Sequence, residues 1–146
     1  MAALSNYIEN KLIDQIFRGQ AYTFPTTVYV GLYTAAPSET GGGTEVSGGA
    51  YARVAVTASL ANWAGTQAAA STTASTGTAG TTSNNIAVTF PAPTANWGVV
   101  TSVGIFDAAS AGNMLIYGNL TIAKTVNNGD SAPTFQASAL SFQIDN

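Results

Sequence analysis

Glu39 and Glu45 flank Gly41-Gly42-Gly43 and are the pair of carboxylates whose spacing first suggests general acid–base work. Glycosidases use two carboxylates held at a set separation across the scissile bond. Three glycines between them argue against that use, because catalysis needs fixed geometry and glycine gives mobility. Glu9, Asp14, Asp107, Asp130 and Asp145 are isolated along the chain. The triple glycine is followed neither by Lys-Ser/Thr nor by a helical run, so it does not read as a phosphate loop. Asn127-Asn128-Gly129-Asp130 lacks the regularly spaced oxygen ligands of a calcium loop and reads as a turn. There is no His and no Cys, which removes imidazole and thiolate catalysis, their metal sites and disulfides. The expectation is a non-enzyme with no catalytic residues, no cofactor and no metal.

Two further features have chemical character. Tyr7, Tyr22, Tyr29, Tyr33, Tyr51, Tyr117, Trp63 and Trp97 could build a sugar-binding face, but most fall in strand periodicity, where packing is the commoner use. Trp97 lies between Asn96 and Gly98, after Pro91 and Pro93, and is expected to be an exposed anchor. Arg53 is the only base between Arg18 and Lys124. A guanidinium in an otherwise uncharged strand should seek a carboxylate or carbonyls. Glu45 is the expected partner in a structural ion pair, the alternative being an acid of a neighbouring subunit.

These residues must be positioned by a small set of elements. One helix is predicted from about Leu4 to Arg18. Ser5 or Asn6 can cap it, Asn6 and Glu9 resemble a capping box, and Gly19 follows as a C′ glycine. Asp14 and Arg18 form an i,i+4 pair. Leu4, Ile8, Leu12 and Ile16 line one face, with Ile13 and Phe17 beside them, an apolar arc of roughly 200°. That width fits either a deeply sunk helix or one touching both its own sheet and a second copy. Ile8, Leu12 and Ile16, with Trp97, are therefore the candidate self-association residues.

Everything after the helix reads as strand and turn. Strands are predicted at Thr27–Thr34, Tyr51–Thr57, around Ile86–Phe90, at Val99–Phe106, Met114–Thr121 and about Thr134–Ile144, separated by Gly- and Pro-rich turns. The fold class is mainly β: an antiparallel β-sandwich or barrel of about six to seven strands with one N-terminal α-helix. The 146 residues fit a single domain, with the helix at 4–18 and β-structure at 27–63 and 84–146. Residues 64–83 contain only Ala, Gly, Thr, Ser and one Gln. They cannot bury enough apolar area to order themselves and are expected as a low-complexity exposed excursion, either loose or held by a neighbouring subunit.

Charge is scarce, at 8% of residues with a net charge of -3. This leaves no basic field for nucleic acid. The first ten residues include Asn6, Glu9 and Asn10 without the apolar core of a signal peptide, and no stretch suits a membrane span. Isolated soluble domains usually carry mixed charge. An exterior of hydroxyls, amides and methyls suits coverage by other protein.

The segments LSNYIENKLIDQIFRG, TTVYVGLYTAAPSETG, TEVSGGAYARVAV and VTFPAPTANWGVVTSVGIFDAASAGNMLIYGNL resemble, in order, a family of small tailed-bacteriophage virion proteins, often labelled tail-fibre-like, with similar β-proteins decorating capsids. Residues 64–83 fall outside the resemblance. It implies a non-enzymatic structural role in many copies, in a virion assembled in the host bacterial cytoplasm. The expected function is an oligomeric capsid decoration (cement) protein, a homo-oligomer for which a trimer is the analogy, contacting the major capsid protein. A tail-tip or tail-fibre component bound to tail proteins, with a host glycan as the less favoured partner, is one alternative. A free carbohydrate-binding module is the other.

Overall fold

A computed structural model describes residues 2–144. Along them run β1 (Ala2–Leu4), α1 (Asn6–Phe17), β2 (Thr27–Ala35), β3 (Thr44–Glu45), β4 (Val54–Thr57), β5 (Thr81–Ser83), β6 (Val88–Thr89), β7 (Gly98–Phe106), β8 (Met114–Val126), β9 (Thr134–Phe135) and β10 (Ser141–Gln143). The helix starts later than its periodicity predicts. Leu4 belongs to β1, paired antiparallel with Ile116 on β8. Ser5 is the cap: its hydroxyl accepts from the Ile8 amide and donates to the Met114 carbonyl, so one side chain both ends the strand and starts the helix. The Asn6–Glu9 capping box does not form. At the other end the amides of Arg18 and Gln20 both donate to the Asp14 carbonyl, and Gly19 takes φ 65°.

The main sheet is antiparallel and six-stranded, ordered β1-β8-β7-β2-β3, with β4 also pairing β2. β3 and β4 share one edge of β2: β4 takes Thr27–Val30 and β3 takes Tyr33 and Ala35. Two small antiparallel sheets, β10-β5 and β6-β9, supply the second layer of a β-sandwich. The core lies between the layers. Alternation on β2 sends Val30 and Leu32 to it, beside Val100, Val103 and Ile105 of β7, with Val88, Phe90, Leu140 and Phe142 from the other side. The opposite face of the main sheet holds a smaller cluster of Tyr33, Phe106 and Met114, flanked by Tyr29 and Tyr117.

The differences from the predicted strands have local causes. β8 runs on to Val126 because, after a register shift, Lys124–Val126 pair with Val100–Gly98. The predicted strand from Thr134 splits into β9 and β10. Between them Ser138 takes φ 66°, and Asn84, fully buried, holds the segment. Its carbonyl oxygen accepts from the Leu140 amide (2.8 Å), and its amide nitrogen donates to the Ile86 and Gln136 carbonyls (both 2.8 Å).

Residues 64–83 are not wholly an excursion. Ala64 and Ser83 are buried and Thr81–Ser83 form β5. The loop between is tied by its own hydrogen bonds. Gln67 donates to Thr73 Oγ1 (2.8 Å) and accepts from the Thr76 amide (3.2 Å), while the Gly77 amide donates to Thr66 Oγ1 (2.9 Å). The segment is thus neither loose nor dependent on a second subunit for these bonds: side-chain hydrogen bonds, mostly to backbone, order it although it buries little apolar area. Among the described residues no helix is long and apolar enough to cross a membrane.

Candidate functional site

The structure brings Glu45 and Arg53 together. Arg53 Nε donates to Glu45 Oε1 and Nη2 to Oε2, both at 2.8 Å, a bidentate pair. Nη1 donates to the carbonyls of Ala108 (2.9 Å) and Ala111 (2.8 Å). The guanidinium carbon lies 3.3 Å from the centroid of the Phe106 ring. The Arg53 side chain is only 7% exposed, so its charge is held almost entirely by these contacts. Burial alone would lower its pKa, but the hydrogen bonds and charge of Glu45 outweigh that and raise it.

Tyr51 completes the cluster. Its hydroxyl donates to Glu45 Oε1 (2.9 Å) and accepts from the Leu32 amide (2.8 Å). Leu32 sits on the edge of β2 where β4 has ended and β3 has barely begun, and the phenol satisfies an amide that neither strand reaches. Burial pushes the Tyr51 phenol far above the ordinary tyrosine range, and the Glu45 charge adds to it. The assembly of Glu45, Tyr51, Arg53 and the turn at 107–112 is a clamp that joins strands. Both Arg53 and Glu45 are consumed by it, so neither is free for proton transfer. Glu39 takes no part in these hydrogen bonds and lines an open cleft instead.

The other sequence candidates are distributed differently from expectation. Trp97 is not an exposed anchor: it is 6% exposed, in the main core, with Nε1 donating to the Gly49 carbonyl (2.8 Å) and its ring edge-on to Tyr51. The approach needs a glycine, since a Cβ at Gly49 would lie 3.0 Å from Trp97 Nε1. Flanking prolines and glycine were read as exposure, whereas here they turn the chain so that the indole points inward. Ile8 is likewise buried, facing the chain's own sheet, and is not available for self-association. Leu12 is half-buried. Ile16 is 66% exposed, and Ile13 and Phe17 are exposed with it, so the outer half of the wide arc is uncovered. Ile122 on β8 is also exposed, a residue that alternation alone did not single out.

One open cleft lies beside the start of α1. It has a volume of about 490 Å³ and lies between Asn6 and Tyr7 of the helix, Glu39–Gly42 of the glycine loop, and Tyr33, Phe106 and Asn113. Among the described residues no cluster of three or more His, Cys, Asp or Glu side chains could hold a metal ion.

The family described as Podophage GP4 fiber I protein gp80 matches the chain over residues 3–143. No curated protein matches it.

Proposed function

We propose, because the chain belongs to the podophage GP4 fiber I protein gp80 family, that it is a non-enzymatic, self-associating structural subunit of a bacteriophage fibre. Membership over residues 3–143 is the observation that carries the reading, and it makes the chain a virion structural protein of tail-fibre-like type. The fibre designation of the family supports the tail over the capsid decoration role expected from the resemblance. The physical features suit either place. The clamp uses the chain's most unusual charge for rigidity, and Ile13, Ile16 and Phe17 leave an apolar stripe of α1 uncovered on a charge-poor exterior. Burying that stripe between copies would be favourable by about 25 cal/mol per Å² of apolar area, before ordering costs.

Quantitative mass spectrometry of purified virions separates the two places. A fibre subunit is expected at a small fraction of the major capsid protein. Copy numbers comparable to the capsid protein would instead identify a decoration protein, and absence from the particle would overturn the structural role altogether.

A further inference from the structure

We propose that the exposed stripe of α1 docks into an apolar groove beside the second half of β8 on another copy of this chain. The inference rests on the reading of the chain as a self-associating fibre subunit, and it names the two surfaces that meet.

The groove has a structural cause. In the ladder between β7 and β8, Val100 faces Lys124 and Ser102 faces Asn119, so Thr101 alone stands opposite residues 120–123. β8 bulges there. β1 pairs with β8 only at residues 116–118, so no strand lies beside the bulge among the described residues. Between the bulge and β9 lies a recess of about 390 Å³. That size falls within the range of roughly 300–1,000 Å³ that admits a ligand-sized apolar group. Leu32, Val100 and Val126 close its floor and are themselves buried. The accessible apolar surface is in the walls: Ile122 is 81% exposed, and Leu120 and Phe135 are half-buried.

The occupant is argued from spacing and charge. Ile13, Ile16 and Phe17 follow the i, i+3, i+4 pattern by which a helix lays an apolar ridge into a groove, and all three are exposed. Lys124 is the only charged residue lining the groove. On α1 the exposed Glu9 lies one turn before Ile13, on the side of the stripe. Neither Glu9 nor Lys124 has an ion-pair partner among the described residues. A helix laid in the groove sets Glu9 at the rim where Lys124 stands, so each charge gains its opposite.

The two surfaces lie at different ends of β8. α1 begins where Ser5 bonds to the Met114 and Leu115 carbonyls, and the groove begins at Leu120. The contact is therefore heterologous. It repeats head to tail, closing into a ring or growing into a filament according to the rotation between copies.

The test pairs two variants of the full chain, each lacking one surface. Ile16→Ser with Phe17→Ser removes the stripe, and Ile122→Asp puts a charge in the groove wall. All three positions are exposed, so both variants should fold, which circular dichroism checks. Sedimentation equilibrium should show species larger than a dimer for the parent and monomer for each variant alone. Their mixture should give a one-to-one heterodimer and nothing larger, because one variant keeps its stripe and the other keeps its groove. Glu9→Lys and Lys124→Glu should each weaken the parent contact about threefold, the scale of an exposed pair, and the double variant should restore it. A parent that stays monomeric or stops at a dimer, assembly by either variant alone, a mixture that stays monomeric, or unchanged affinity in both charge variants would overturn the proposal. Assembly by the groove variant alone would leave the groove to a different occupant. None of these outcomes alters the copy number of the parent chain in the virion, so failure here and failure of the fibre reading are distinguishable.

Discussion

Gly31 and Gly104 face each other directly across β2 and β7, and the Phe106 ring occupies the recess left by their missing side chains. A Cβ at Gly31 would stand 3.0 Å from Glu45 Oε1, 3.1 Å from Phe106 Cε2 and 3.2 Å from the Tyr51 hydroxyl. A Cβ at Gly104 would meet the same Phe106 ring at 3.0 Å. The clamp therefore depends on two positions with no side chain as much as on its charged pair. Gly31→Ala should destabilise the fold by about 1–3 kcal/mol, the cost of overpacking. A urea midpoint equal to that of the parent would show that the recess is not filled as described.

Arg53→Ala should cost about 3–5 kcal/mol, because it leaves the Glu45 carboxylate half-buried without its partner. Arg53→Lys should recover little, since an ammonium cannot match the two oxygens of Glu45 and also bridge Ala108 and Ala111. Chemical denaturation of both variants checks this. A lysine variant as stable as the parent would reduce the clamp to a simple charge contact.

The pairing of Glu45 with Arg53 was legible because a lone base in an uncharged strand has few partners within reach of a glycine loop. The long strands at Thr27–Thr34 and Val99–Phe106 were legible from alternation, and the C-terminal end of the helix from Gly19, whereas its start was open between Ser5 and Asn6 and was set too early. Trp97 was not, because Pro and Gly neighbours mark a turn without saying which way the indole points. Two-residue strands such as β3 carry no periodicity to read. Asn84 gave no signal either: its role comes from carbonyls and an amide that are distant along the chain, Gln136 and Leu140 among them.

Asn84→Ala should destabilise by about 1–3 kcal/mol, since it leaves the buried Leu140 amide and the part-buried Ile86 and Gln136 carbonyls without their partner. The loss should be local first. Hydrogen exchange at the Leu140 amide should speed up before exchange in β7 does. Uniform acceleration across the chain, or none, would contradict the role given to this side chain.

Stability should fall in alkali. The phenols of Tyr51, Tyr33 and Tyr117 sit above the ordinary value of 10.0, and burial together with Tyr7 pushes Tyr22 up to about 12. The folded chain thus holds these protons more tightly than the unfolded chain. Their contribution is complete below pH about 10, where the unfolded phenols are still neutral, and drains away as the pH rises toward the folded values. Melting temperature measured across this range should be flat to pH about 10 and then decline. A rise above that pH would reverse the assigned direction.

Ile16→Ser with Phe17→Ser removes the two most exposed apolar side chains of α1. Neither side chain is in the core, so the melting temperature should change little. Sedimentation should show a smaller assembled species than the parent. An unchanged assembly would move the self-association surface elsewhere, with the exposed Ile122 region of β8 next to be tested.

Immunogold electron microscopy of intact virions, with antibody raised against the full chain, tests the fibre role most directly. Gold confined to the tail end of the particle is the expected result. Gold spread over the capsid shell, or no gold on intact particles, would contradict it.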